Sequence, residues 1–294
     1  MPIKPLTYGL EIECAEVSPE STRLEQEYSF SRHFDRTIRG PNGEELPRET
    51  AAELITLPLA VDVSISENRS PSSDTNINAF VPLSINFGGT KEVVEALCRC
   101  LGKVNKSCGV HVHIGKPNGR GGDNSYWSES DVRTWITVCC LLEERLFTLV
   151  PSSRADNQYC RKLLDGYNVA EFKNTCPLGH VSARKYDNRK RYCWLNLIET
   201  KRENGLGTVE IRMLGNTKRF DYIWAWTQLW IKIGAIIAYW PSSQAIMSIT
   251  MSDLLDPDML NVKRIKDIPE NRRQAGVAPT TANIQPRIRR ADRT

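Results

Sequence analysis

Three segments of the chain alternate apolar and polar residues with a period of two. In each segment the branched apolar residues occupy every second position and polar residues fill the positions between them. The segments are YGLEIEC at 8–14, CGVHVHIG at 108–115 and TVEIRML at 208–214. Since neighbouring side chains of a strand point to opposite faces, this pattern predicts three strands that are each apolar on one face. The polar faces carry three pairs, which are Glu11 and Glu13, His111 and His113, and Glu210 and Arg212.

Further strands and helices follow from shorter patterns. The first strand is expected to span 6–17, and 51–57 reads as another strand or a short element ending at Pro58. A hairpin-like turn is predicted at 40–43, a loop over the Ser/Asn/Pro-rich residues 62–82, and a helix over 91–103. A strong helical pattern covers 128–150, with Ser128 or Ser130 as its N-cap. Two short strands are predicted at 191–198 and 207–214.

The longest apolar run is long enough to be either a membrane span or a buried helix. It is YIWAWTQLWIKIGAIIAYW at 222–240. It contains Gln228 and Lys232, and its tryptophans are spread through the run instead of gathering at its ends. These features favour a helix buried against a sheet. We therefore predict an α+β fold in which helices pack on an antiparallel sheet, formed by one domain over residues 1–260.

The net charge of +4 comes from the C-terminal end. Residues 261–294 contain nine basic and three acidic residues, which leaves 30 basic and 32 acidic residues in the rest of the chain. The near-neutral body argues against a nucleic-acid surface. We expect an extended or disordered tail that is simply solvated, contacts phosphate, or docks an acidic partner.

The nine cysteines are an odd number and are scattered along the chain. The first residues, MPIKPLTYGLEIE, lack the basic start and apolar run of a secretory signal. We expect reduced thiols in the cytoplasm and no contact with a membrane.

The three polar pairs indicate a metal site if their strands are neighbours. One face would then hold three carboxylates, two imidazoles and one guanidinium. Carboxylates crowded together repel each other unless cations neutralise them, and oxygen ligands suit Mg²⁺ or Mn²⁺. A nearby arginine can bind phosphate or carboxylate through two parallel hydrogen bonds. This combination is typical of a site for a metal-bound nucleotide.

These motifs resemble the amidoligase family, which lies within the glutamine synthetase and glutamate–cysteine ligase superfamily. The segments AELITLPL around Glu53, PSSR at 151–154 and RYCWLNL at 191–197 resemble the family in the same order, and the likeness covers roughly residues 6–220. The resemblance implies a glutamine synthetase-like catalytic fold, in which antiparallel strands line a funnel with helices on its outer face. It also implies an ATP-dependent ligase that joins a carboxylate to an amine through an acyl phosphate, with two or three Mg²⁺ or Mn²⁺ ions.

The resemblance also assigns roles to single residues. It implies that the metal ligands are Glu11, Glu13, His111, Glu210 and, more weakly, Glu53. His113 would face the substrate or the transferred phosphate, and Arg212 would bind phosphate or the substrate carboxylate. Arg154 and Arg191 would bind the nucleotide phosphates, and Asp35 and Arg39 are weaker candidates.

Two departures from the family leave the substrate open. Arg36 stands where family members often have glycine, and residues 60–88 are unusually rich in serine and asparagine. The expected partners are therefore a small-molecule or peptide carboxylate and an amine acceptor, with no commitment to an oligomeric state. The family suggests a bacterial or phage source.

Two other readings remain open, and one is rejected. The same His and Glu face could form a zinc-dependent hydrolase, or the fold could serve as a non-catalytic binding module. The segment GVHVHIGK at 109–116 resembles a P-loop, but it has one residue too many between its glycines, and Pro117 follows Lys116 where serine or threonine is required.

Overall fold

The computed structural model describes residues 5–48, 50–65, 83–116, 127–155, 157–163, 192–197, 200 and 206–239. These residues form ten strands and five helices. The strands are β1 Leu6–Cys14, β2 Glu16–Val17, β3 Phe30–His33, β4 Ala52–Thr56, β5 Leu59–Ile65, β6 Leu83–Asn86, β7 Leu101–Lys103, β8 Gly109–Gly115, β9 Leu195–Asn196 and β10 Thr208–Gly215. The helices are α1 Ser21–Tyr28, α2 Thr90–Arg99, α3 Glu129–Thr148, α4 Ser152–Ala155 and α5 Phe220–Tyr239.

One antiparallel sheet organises the described part of the chain. Its strand order is β3-β4-β1-β8-β10-β9, and β5 pairs with both β1 and β6. Both β4 and β5 pair with β1, with β5 along its first residues and β4 along its last. A separate two-stranded sheet joins β2 to β7. The three segments with period-two alternation are therefore the three adjacent strands β1, β8 and β10, which confirms the predicted antiparallel sheet.

The apolar face of the sheet packs against helices α2 and α5, and α3 packs on α5. Side chains from the central strands, such as Ile12 and Val112, are fully buried there. Helix α5 packs on β8 and β1, and Gly234 permits the close approach because a methyl group at that position would lie 2.6 Å from Cγ2 of Ile114. Trp230 of α5 stacks on Trp135 of α3, with ring centroids 6.5 Å apart. The combination of a mostly antiparallel sheet with helices on one face is as predicted.

The long apolar segment is a buried helix, as its composition predicted. Most residues of α5 from Ile223 to Ile237 are buried. Among the described residues, no helix combines the length and apolar character needed to cross a bilayer.

The strongest local predictions are confirmed. Helix α3 begins at a capping box in which the Ser128 hydroxyl accepts from the Asp131 N–H at 3.2 Å and the Asp131 carboxylate accepts from the Ser128 N–H at 2.8 Å. The turn at 40–43 closes with a hydrogen bond from the Gly43 N–H to the Gly40 carbonyl at 3.0 Å, and φ of Gly43 is +88°.

Four local predictions need correction. The strand predicted over 6–17 is interrupted at Ala15, because Glu16–Val17 forms β2 and pairs with β7 in the separate sheet. The loop predicted over 62–82 is wrong for 62–65, which belong to β5, and residues 66–82 lie outside the described part. The helix predicted over 91–103 ends at Arg99, because Leu101–Lys103 forms β7 and pairs with β2. The strand predicted over 191–198 is only Leu195–Asn196 among the described residues.

Candidate metal and phosphate site

The polar face of the sheet brings the predicted pairs together. Across β1 and β8, Glu11 stands opposite His111. His113 stands opposite Glu210 of β10, and Glu13 stands opposite Glu53 of β4. All these side chains share one face, because directly opposed residues of antiparallel strands point the same way. The helices cover the other face.

Glu11 lies at the centre of this polar face. One of its carboxylate oxygens contacts Nδ1 of His111, and the other lies 3.3 Å from Nε2 of His113. Burial favours a raised pKa, but the charge on His111 and the hydrogen bonds from both histidines outweigh it and hold the pKa of Glu11 below its usual range. Glu11 is therefore ionised and shared by both imidazoles. In turn, burial acts to lower the pKa of His113, but the hydrogen bond that it donates to Glu11 and the charge on Glu210 raise it.

Glu13 is held at the far end of β1. Its side chain is 8% exposed, and Oε2 accepts a hydrogen bond from the Gly109 N–H at 2.5 Å. The Asn216 side-chain amide donates to the Glu13 backbone carbonyl. Burial raises the pKa of Glu13, although the charges on His111 and Arg212 oppose the rise.

Glu53 adds a fourth carboxyl group to the same face. Burial, a hydrogen bond with Glu11 and the negative charges of Glu11, Asp35 and Glu13 raise the pKa of Glu53 to about 10. A carboxyl group with this pKa is protonated at neutral pH. The polar face therefore carries more acidic groups than its positively charged side chains can keep ionised.

Glu210 is the most enclosed of the four carboxylates. Its Oε1 accepts from Nη1 of Arg212 at 2.5 Å, and its Oε2 accepts from Nδ2 of Asn196 at 2.6 Å. Burial alone would raise its pKa, but the charges on Arg212, His113 and His111 lower it. Arg212 is itself mostly buried, and its Nε has no hydrogen-bond partner among the described residues.

Arg154 lies beside this cluster and bonds to backbone. Its residue exposure is 3%, and it donates from Nη2 to the Arg212 carbonyl at 2.6 Å and from Nε to the Met213 carbonyl at 3.3 Å. Its role in binding a nucleotide phosphate stays a prediction.

Two overlapping groups of side chains could hold cations. In each group one ligand atom per residue lies within 4.8 Å of the others, and Glu11 belongs to both groups. The first group is Glu11, Glu13, Glu53 and His111, and the second is Glu11, His113 and Glu210. Three carboxylates with one imidazole is a donor set that suits Mg²⁺ or Mn²⁺ better than the thiolate-rich sets of structural zinc.

The remaining candidates are placed differently. Arg191 lies outside the described residues. Asp35 is close enough to raise the pKa of Glu13 and Glu53, whereas the guanidinium of Arg39 pairs with Glu45 at 2.9 Å on the surface. Within the described part of the chain, no cysteine belongs to a group of potential metal ligands, and the cysteines there form no disulfide.

Sequence reasoning missed three groups that hold the acidic side chains in place. Asn196 fixes Glu210, Asn216 fixes the Glu13 backbone, and the Gly109 N–H binds the Glu13 carboxylate. Asn196 lies in the quoted segment RYCWLNL, so that motif contained the signal. The other two contacts depend on distances across the fold, for which the sequence has no local pattern.

Comparison with known proteins gives one match. The model of the family described as "Putative amidoligase enzyme" matches residues 4–233. A search of curated proteins found no significant match, and a search of solved structures found none either. The matched residues include all four strands of the polar face and helix α5 as far as Ile233.

Proposed function

The chain belongs to the amidoligase family, and from that premise we propose that it is an ATP-dependent ligase that joins a carboxylate to an amine. Membership supports a ligase-type enzyme. The observation that carries the finer proposal is the crowding of four carboxyl groups and two imidazoles on one face, in two groups that share Glu11. Such a face is typical of sites where divalent cations meet phosphate oxygens.

The donor set fits Mg²⁺ or Mn²⁺. Glu11, Glu13, His111 and Glu53 would hold one cation, and Glu11 with Glu210 would hold a second near His113. When bound, these cations supply positive charge that screens the triphosphate and the substrate carboxylate. The strands supply the rigidity, because each ligand is fixed by a partner on a neighbouring strand.

The proposed reaction has two steps. In the first, a carboxylate oxygen of the substrate attacks the γ-phosphorus of ATP, the bond to the β,γ-bridging oxygen breaks, and ADP leaves. In the second, the amine attacks the acyl carbon, inorganic phosphate departs with the electrons of the C–O bond, and the nitrogen loses a proton to form the amide. The acyl phosphate is the intermediate between the two steps.

Residues at the β8–β10 side would stabilise the transferred phosphoryl group. His113 has a raised pKa, so it can present a positive imidazolium to the phosphate oxygens. Arg212 has a buried Nε without a partner among the described residues, which is a donor available to an anion. We expect Arg191 to act on the same group. Preorganised donors of this kind typically contribute about 100-fold or more to the rate each.

The test is metal-dependent nucleotide binding. ATP is titrated calorimetrically into the protein with Mg²⁺, with Mn²⁺ and with chelator, alongside Glu13→Gln and the surface control Glu27→Gln. A glutamine at position 13 keeps the oxygen that accepts from the Gly109 N–H, so the variant should fold while losing a charged ligand. We expect metal-dependent binding in the wild type and the control, and its loss in Glu13→Gln.

Two outcomes would overturn the proposal. Wild-type binding and turnover in Glu13→Gln would remove the metal assignment. No ATP binding under any condition, together with tightly held zinc in the purified protein, would favour the zinc-dependent hydrolase. If ATP binds with metal, a screen of small-molecule and peptide carboxylates against amines, read as phosphate release, identifies the substrates.

A further inference from the structure

Strand β10 contains a bulge at the residues that carry the arginine of the site. Ile211 stands opposite Val112 and Leu214 stands opposite Val110, so two residues of β10 face one residue of β8 between those pairs. The two residues are Arg212 and Met213. A bulge disrupts the local ladder and leaves backbone groups unpaired, so it needs partners from elsewhere.

Arg154 of α4 supplies those partners. Its guanidinium donates to the carbonyls of both bulge residues, at 2.6 Å to Arg212 and 3.3 Å to Met213. On the other side, the Arg212 N–H donates to the Trp194 carbonyl at 2.7 Å, which ties the bulge to the chain just before β9. Among the described residues no carboxylate forms a salt bridge with Arg154. Besides the two bulge carbonyls, its side chain hydrogen-bonds with the Cys160 thiol.

A glycine of β10 makes room for this buried arginine. A methyl group at Gly215 would lie 3.3 Å from Cδ of Arg154 and 3.5 Å from its Cγ. Glycine inside a strand weakens the strand and commonly marks a close approach of another group. Gly215 therefore fits the passage of the Arg154 side chain. Its partner on β8, Gly109, makes room for the site itself, because a methyl group there would lie 3.0 Å from Nε2 of His111 and 3.3 Å from Oε2 of Glu13.

The bulge in turn places Arg212 against Glu210, with Nη1 and Oε1 2.5 Å apart. We propose that Arg154 is a positioning residue that holds the β10 bulge, and through it the Arg212 side chain, instead of binding the nucleotide phosphate itself. The planar guanidinium can donate to two neighbouring carbonyls at once, whereas the ammonium group of lysine is a single point of charge. The catalytic consequence of this proposal rests on the proposed ligase function, but the positioning itself does not.

The first test is a double-mutant cycle. Arg154→Met, Arg212→Met and the double variant are compared in metal-dependent ATP affinity and in turnover, with Arg23→Met as the matched control because Arg23 is a surface residue paired with Glu27. We expect Arg154→Met to lose at least tenfold in turnover. The double variant should be within about twofold of Arg212→Met alone, since the first change acts through the second. Independent, multiplying losses would overturn the proposal and indicate direct contact with ligand.

The second test needs no activity. The Nε–H signal of Arg212 is identified by NMR in metal-free protein from its loss in Arg212→Met, and it is then followed in Arg154→Met. We expect it to shift or broaden in Arg154→Met and to stay unchanged in Arg23→Met. An unchanged signal in Arg154→Met would overturn the proposal, whatever the protein catalyses. A shifted signal in a protein that never binds ATP would leave the positioning intact and refute only the ligase function.

A milder variant covers the case in which Arg154→Met does not fold. Gly215→Ala places a methyl group against the Arg154 stem and must displace it by a few tenths of an ångström. We expect Gly215→Ala to change the Arg212 signal in the same direction as Arg154→Met, by a smaller amount. In Arg154→Lys the change in this signal should be intermediate between those of Arg154→Met and the wild type. A Gly215→Ala protein with an unaltered Arg212 signal would contradict the proposed chain of contacts.

Discussion

Cation binding should displace a proton from Glu53. The pKa of this carboxyl group is about 10, against an ordinary 4.5, because it is buried beside Glu11, Glu13 and Asp35. At pH 7 the pKa of Glu53 therefore lies about three units above the pH, and the carboxyl group is protonated. Removing it costs on the order of 4 kcal/mol, a factor of about a thousand in metal affinity that would be recovered at high pH.

The perturbation is Glu53→Gln, which keeps the neutral shape of the protonated acid and cannot release its proton. Mg²⁺ or Mn²⁺ is titrated calorimetrically at pH 7 in buffers of different ionisation enthalpy, which gives the number of protons released. We expect about one proton fewer from Glu53→Gln than from the wild type, with Glu27→Gln matching the wild type. Equal proton release from Glu53→Gln and wild type would refute the reasoning, because Glu53 would then not ionise when the cation binds.

The same proton should appear in the stability of the metal-free protein. Since the pKa of Glu53 is raised on folding, its contribution to stability is complete below the unfolded value of 4.5 and is lost as the pH rises toward 10. Between pH 6 and pH 9 the wild type should therefore lose about 1.4 kcal/mol per pH unit relative to Glu53→Gln. Urea unfolding in the presence of chelator measures this difference, and a difference that does not change with pH would contradict it.

Three further changes test the surroundings of the site. Asn196→Ala removes the 2.6 Å hydrogen bond to Glu210 and should weaken metal binding by about 10- to 100-fold at unchanged fold, as measured calorimetrically; unaltered affinity would contradict the positioning role. Glu143→Ala leaves the buried Trp194 indole N–H, now 2.7 Å from the carboxylate, without its acceptor and should cost about 1–3 kcal/mol of unfolding free energy in urea. Ser128→Ala breaks the capping box of α3 and should cost about 1 kcal/mol in the same assay, whereas Ser128→Asp should restore most of the loss.

The strand faces were predictable from sequence because a strand exposes only two faces. In CGVHVHIG the alternation leaves no other face for His111 and His113 once the branched residues are buried. Strand order was not predictable in this way, since nothing in the local pattern of β1 says that β8 is its neighbour. The resemblance to a family implied only that the three pairs share one site, and the register of Glu11 opposite His111 agrees with that.

The errors have physical causes. Strand β5 was hidden by the serines and asparagines that follow it, although Leu59, Val61 and Val63 alternate as a half-buried strand should. The end of α2 was placed too late because its apolar spacing continues into β7. Gly102 marks the change from helix to strand. Strand β2 approaches so closely there that a methyl group at Gly102 would lie 2.8 Å from the backbone oxygen of Glu16.

Other features could not be read from the sequence at all. The sequence around an arginine does not distinguish one that bonds to backbone carbonyls from one that binds phosphate. The contacts of Arg154 could therefore be identified only from the fold. The contact between Asn216 and Glu13 joins residues 203 positions apart, and no periodicity links them. Such contacts depend on register across several strands, which short-range patterns do not encode.

The strand order also fixes when the site is assembled during synthesis on the ribosome. Strand β1 emerges first, and β4 and β5 can cover one of its edges early, but the partner of its other edge is β8, with Glu11 and His111 separated by 100 residues. The other edge of β8 stays unpaired until β10 has been synthesised, because β10 is its second neighbour in the sheet. Because contacts this distant in sequence form late, a nascent chain shorter than about 215 residues carries its acidic strand without the arginine that balances it. Under the proposed function, the capacity to bind cation and nucleotide is thus acquired only after strand β10 has been synthesised.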